Sequence, residues 1–240
     1  VTAGSLGRVP ETPTAAVVEA VNVVHALIPD ERGDLDRTAI DKRPVDGRVS
    51  VSAPGESDVG LAGDQIYDRK HHGGPDQAVY AYAREDEDWW AAELDRSIAP
   101  GSFGENLTTY GLNVTGAVIG ERWRIGDDGL VLEVTAPRIP CKTFQGWMDE
   151  PHWVKRFTEH GAPGAYLRVV SPGTVGAGDA VALEHRPDHG VTVGDVFVIR
   201  RAHADGLRRM IDMPGINEDL AEFARRDLAA RARTPSRGAS

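Results

Sequence analysis

Apolar positions in this chain come in short runs. Segments rich in Val, Ile and Tyr occupy residues 17–27, 48–52, 78–83, 117–125, 130–135, 166–170 and 180–183, separated by turn signals such as Gly126-Asp127-Asp128-Gly129. That texture predicts many short strands. Two stretches break it with helical spacing: residues 85–96, carrying Trp89, Trp90 and Leu94, and residues 152–160, carrying Trp153, Val154 and Phe157. A mainly β architecture follows, closed as a β-barrel with helical additions, because a barrel leaves few unpaired strand edges.

Past Pro187 the period changes. Thr192-Val-Gly-Asp195 has the form of a capping box and opens a short helix with Val193, Val196 and Phe197 on one side. A second helix carries Leu207, Met210 and Ile211 and stops at Pro214-Gly215. Asn217 caps a third, with Leu220, Phe223, Ala224 and Leu228 along one face. The expected organisation is a flexible polar arm over residues 1–14, a β-barrel domain over 15–187, a small three-helix bundle over 188–232 and a flexible tail over 233–240.

Composition adjusts this picture modestly. Twenty-seven Gly and fifteen Pro supply the many turns that short strands need. Net charge is −10, which repels phosphate backbones and disfavours bulk nucleic acid while leaving room for a local basic pocket. The stretch 15–28 is interrupted by Glu19, Asn22 and His25 and is too short to span a membrane, so a cytoplasmic protein is expected. A single cysteine, Cys141, excludes an intrachain disulfide and fits a reducing compartment.

Four clusters carry candidate chemistry. Cys141 follows Ala-Pro-Arg138-Ile-Pro, and Arg138 and Lys142 are cations that favour its thiolate. A lone thiolate suits a metal whose other ligands come from elsewhere, or it is a small buried hydrophobe. His72-Gly73-Gly74 places a glycine pair where backbone N–H groups can face an anion, or is a tight turn with a structural His. Phe103-Gly-Glu105-Asn106-Leu sets an acceptor or proton relay beside a bifunctional amide, or is an Asx-type turn. Lys42-Arg43-Pro44 offers two cations before a rigid turn, or a solvated basic pair.

The order of these motifs is more specific than any one of them. Asp41-Lys-Arg-Pro-Val, Gly63-Asp64 with Asp68, His72-Gly-Gly with Ala78-Val-Tyr80, Phe103-Gly-Glu-Asn-Leu, Arg138-x-Pro-Cys141, Gly164-Ala-Tyr166-Leu-Arg168-Val and Gly178-Asp179 together resemble the MOSC family, named for the molybdenum cofactor sulfurase C-terminal domain. The helical tail resembles the segment that accompanies its YiiM-like branch. The resemblance implies a β-barrel core that binds molybdenum cofactor, with Cys141 on the metal. It implies Lys42, Arg43, His72, Gly73, Gly74, Asn106 and Arg138 around the cofactor, and His72 or Glu105 as proton donor. The implied activity is reduction of small N-hydroxylated substrates such as N-hydroxylaminopurines. Electrons would come from a separate reductase, since the chain lacks iron–sulfur cysteines and a dinucleotide-binding fingerprint. Two alternatives stay open: a sulfur carrier with a persulfide on Cys141, served by a cysteine desulfurase, and a non-catalytic cofactor-binding module.

Overall fold

The computed structural model describes residues 15–33, 35–55, 59–68, 73–199, 204–212 and 218–233. The chain runs β1 (Val17–Pro29), β2 (Arg37–Pro44), β3 (Val49–Val51), a 3-10 turn (Pro75–Gln77), β4 (Val79–Ala83), α1 (Arg84–Leu94), β5 (Leu107–Tyr110), β6 (Arg122–Ile125) and β7 (Leu130–Pro137). It continues through α2 (Lys142–Met148), α3 (Trp153–His160), β8 (Ala165–Ser171), β9 (Gly173–Val175), β10 (Val181–His185), α4 (Val193–Ile199), α5 (Ala204–Ile211) and α6 (Glu218–Arg233).

Eight strands form one mixed sheet in the order β10-β6-β7-β8-β4-β5-β1-β2, and β3 pairs with β9 apart from it. Within the large sheet β4 and β5 are parallel, joined through α1, and the other neighbours are antiparallel. The sheet is mainly β with small helical additions, as the sequence predicts, but it is not a closed barrel. The start of β1, next to the end strand β2, touches the start of the other end strand β10 through a short bridge: Val18 N–H donates to Asp179 O at 2.9 Å, Gly178 N–H to Val18 O at 2.8 Å and Val181 N–H to Ala16 O at 2.8 Å. Register shifts within β1 bend the strand, and its far half leaves the ring carrying β2 with it.

Alternation along β4 divides the interior in two. All five of its residues are buried. Val79, Ala81 and Ala83 face an aliphatic core shared with Leu107, Trp123, Ile125, Leu132 and Val134. Tyr80 and Tyr82 face the other way, into an aromatic layer with Trp90, Phe103, Phe144, Trp153 and Phe157 beneath α1, α2 and α3. Each of those rings contributes roughly 2–3 kcal/mol of burial. The layer is knit by edge-on contacts such as Tyr82–Phe103 at 4.8 Å and Phe144–Phe157 at 5.2 Å.

The capping box opening α4 forms: Thr192 N–H donates to Asp195 Oδ2 at 3.0 Å and Asp195 N–H to Thr192 Oγ1 at 3.1 Å. Val193, Val196, Leu207, Met210 and Ala224 join the aliphatic core of the sheet. The expected stop at Pro214-Gly215 and the cap at Asn217 lie outside the described residues. The apolar run at 117–125 becomes strand only from Arg122. Before it, Ala117, Val118 and Ile119 are buried in irregular chain, with Ile119 N–H bonded to Val191 O at 3.0 Å.

Candidate functional site

Cys141 sits where β7 has ended and α2 begins. Its backbone is extended (φ −126°, ψ 176°) as the residue that caps α2, and its side chain packs partly exposed against the rim of the aromatic layer. The sequence reading missed α2. Phe144 and Met148, four apart and both buried, were the available signal, and Gly146 between them weakened it.

Three residues before the cysteine, Arg138 is buried, with 5% of its surface exposed. Its guanidinium lies over the Phe144 ring at 3.7 Å and near the Tyr80 ring at 5.7 Å. Such stacking on a dry aromatic face holds the cation in place. It does not satisfy it: Nη1 has no hydrogen-bond partner among the described residues. A buried cation without a counter-charge is costly, and the described residues supply none here.

Tyr166 completes the neighbourhood. It faces Tyr80 across the β4–β8 ladder with ring centroids 5.3 Å apart. Burial pushes its phenol above the ordinary tyrosine range, the Arg138 charge works against that, and the charge of Cys141 adds to it. All three groups therefore lie within electrostatic reach of one another.

The other expected site residues form a separate, self-satisfied network. Asp64 accepts from Lys42 Nζ at 2.6 Å, Asn106 Nδ2 at 2.8 Å and Val24 N–H at 3.0 Å. Lys42 and Asp64 are nearly buried, so the lysine expected to meet a cofactor anion is matched by a carboxylate of this chain. Arg43, half-exposed, pairs with Asp41 at 3.0 Å. Asn106 Oδ1 accepts the Tyr80 N–H at 3.0 Å, which ties this network to the strand behind Arg138.

Glu105 is fully buried. It accepts from the Gly101 N–H, from the Phe103 N–H at 3.0 Å and from Thr108 Oγ1 at 2.8 Å. That geometry makes it the staple of the 101–108 loop. Gly73 and Gly74 both adopt left-handed backbone (φ 89° and 82°), and Gly73 N–H donates to Gln77 Oε1 at 3.3 Å. His72 lies outside the described residues. A cleft of about 230 Å³ runs along another flank of α2, lined by Ile28, Thr38, Ile40, Thr143 and Trp147 among others.

Just past the end of β7, the chain thus sets a buried guanidinium with an unpartnered Nη1 three residues before a half-exposed thiol. The MOSC domain model matches residues 68–182. Protein YiiM of Escherichia coli (strain K12) is 33% identical over 166 residues, covering 68% of this chain and 70% of that one. Its crystal structure superposes with a TM-score of 0.69 at 25% identity, over 91% of this chain and 94% of that one. Uncharacterized protein YflK of Bacillus subtilis (strain 168) is 33% identical over 156 residues, 65% of this chain and 67% of its own length. A protein named Reductase from Gibberella moniliformis is 33% identical over 153 residues, which is 62% of this chain and 26% of that protein. The chain belongs to the MOSC domain family. No helix among the described residues is long and apolar enough to cross a membrane.

Proposed function

We propose that the protein is a reductase of N-hydroxylated compounds, N-hydroxylaminopurines among them, working with a molybdenum cofactor held through Cys141. The observation that carries this reading is the buried Arg138, whose unpaired Nη1 beside the cysteine calls for an anionic group. A soft, half-exposed thiol at the same place suits a metal that brings its remaining ligands with it. The residues present therefore fit the group. When bound, that group supplies two-electron redox chemistry, and a separate reductase restores the electrons. MOSC membership and a relative that bears the name Reductase support the redox class.

The chain's own contributions are positional. Arg138 binds the anionic part, Phe144 and Tyr80 hold its plane, and the Gly73-Gly74 turn lets a ligand approach the backbone without Cβ obstruction. His72 holds the proton for the departing oxygen in this reading. Asn106, Asp64 and Lys42 fix the strands behind the site.

The test is molybdenum content by mass spectrometry on wild type, Cys141→Ser and Arg138→Leu, purified without oxygen from a host that makes the cofactor. Near-stoichiometric metal in wild type, lost in Cys141→Ser and reduced in Arg138→Leu, is expected, together with reduction of an N-hydroxylaminopurine by wild type given an electron donor. Equal metal in wild type and Cys141→Ser would overturn the ligand role. A metal-free wild type bearing a persulfide on Cys141 would replace this reading with the sulfur-carrier one.

A further inference from the structure

Three tyrosines project from neighbouring strands into the aromatic layer and its rim. Two are latched: Tyr80 Oη donates to Pro163 O at 2.9 Å and Tyr82 Oη to Ala162 O at 3.1 Å. The third, Tyr166, is only partly buried and packs at the rim of the layer, where its hydroxyl is not latched to a backbone carbonyl as the other two are. Its ring centroid lies 5.3 Å from that of Tyr80, and the Arg138 guanidinium, which has an unpaired donor, lies 5.7 Å from the same Tyr80 ring, with Cys141 packed against the same layer. A buried cation with an unpartnered donor, beside a phenol at the rim that is not latched within the layer, outlines where an acceptor-rich ligand belongs.

We propose that Arg138 and Tyr166 form an oxyanion clamp beside Cys141, the guanidinium supplying charge and one donor and the phenol a second donor. The ligand class is a small oxyanion, or the oxyanion portion of a larger group, that accepts both hydrogen bonds at once. A phenol near neutral pH donates, and its ring, packed against Tyr80 at a tilt of 44°, is held in place. Latching of Tyr80 onto the Pro163 carbonyl in turn fixes the ring against which Tyr166 rests. This assignment deepens the proposed function by naming the two donors that meet the anion, and it requires no metal to be tested.

Because Cys141 is the chain's single cysteine, its alkylation by iodoacetamide reports on the site without background. The full chain is produced in a host unable to make molybdenum cofactor. Alkylation rates are then measured against orthophosphate and, separately, sulfate, with chloride holding ionic strength constant. Both oxyanions are expected to slow alkylation of wild type in a saturable way. Tyr166→Phe is expected to raise the half-protecting phosphate concentration about tenfold, the worth of one hydrogen bond to a charged ligand. Arg138→Leu abolishes protection. Tyr82→Phe, which breaks a latch in the same layer, lowers the melting temperature and leaves the phosphate midpoint in place, a result that a general loosening of the layer would not give.

Wild type left unprotected by phosphate and sulfate would overturn the clamp, and so would a Tyr166→Phe midpoint equal to wild type. If Arg138→Leu fails to fold, the Tyr166→Phe arm decides alone. Protection without molybdenum loading in the cofactor-competent host would sink the proposed function and keep the clamp. Molybdenum loading without phosphate protection would do the reverse.

Discussion

Glu87 makes a sharp thermodynamic test of the layer behind the site. It is fully buried on α1, with Arg84 Nη1 2.8 Å from its Oε2 and the Glu105 carboxylate on its other side. Burial first, then the Glu105 charge, push its carboxyl up to about 11, against the pull of Arg84. Two carboxylates sharing a dry site do not both ionise, so Glu87 keeps a proton at neutral pH. The unfolded chain releases that proton above the ordinary value of 4.5 and the folded chain only near 11. The folded state therefore binds the extra proton across the window between, and stability falls as pH rises through it. The slope is about 1.4 kcal/mol per pH unit, or about 2.7 kcal/mol across two units spanning neutrality, from Glu87 alone. Glu87→Gln is neutral at every pH and close in shape. Urea unfolding of both proteins at several pH values from mildly acid to mildly alkaline, at fixed ionic strength, should show the mutant gaining on wild type by roughly 2–3 kcal/mol as pH rises. Parallel curves would refute the reasoning. A mutant much weaker than wild type already in mild acid would mean that Glu87 is ionised and held by Arg84.

Two further substitutions probe the scaffold. Asp64→Asn leaves Lys42 nearly buried without its carboxylate and should cost about 3–5 kcal/mol of unfolding free energy, read by urea titration; a loss within experimental scatter would show that Asp64 does not compensate the lysine. Gly101 has φ +87°, and a Cβ there would stand 2.4 Å from Lys42 O, whereas Gly129, at φ +80°, has open space around it. Gly129→Ala should cost about 1–2 kcal/mol of backbone strain, and Gly101→Ala clearly more, since the clash is with main chain; equal melting temperatures for the two would show that the loop does not press on β2.

The sequence exposed the strands whose residues alternate or run apolar: β4, β7 and β8 fall within a residue or two of the expected bounds. β2 was harder to see, because Arg37-Thr-Ala-Ile-Asp-Lys-Arg-Pro is mostly polar and lies at the end of the sheet, where one edge needs no partner. The open ladder was hidden for a different reason. Whether a sheet closes depends on how β1 bends, and bulges at Val18–Ala20 and Val24–Ala26 leave no composition signal. Cys141 and Arg138 were legible as neighbours three apart. Lys42, Asn106 and Glu105 were legible as polar residues in apolar company, but their partners Asp64, Tyr80, Gly101 and Phe103 come together only through long-range packing. Tyr166 lies in the Gly164-Ala-Tyr-Leu-Arg168 motif, and nothing local separates it from Tyr80 and Tyr82, whose hydroxyls are latched to backbone carbonyls.

The far end of α2 is tethered from three remote segments. Trp147 Nε1 donates to Ser102 O at 2.7 Å, Arg96 Nη2 to Met148 O at 2.9 Å, and Arg32 Nη2 to Asp149 Oδ1 at 3.3 Å. The helix they restrain begins at Cys141. Placement of the thiol is thus redundant: sequence drift or a conformational excursion at any one tether leaves two others holding the same short rod. The thiol at the near end of that rod keeps its place relative to Arg138 when any one anchor loosens.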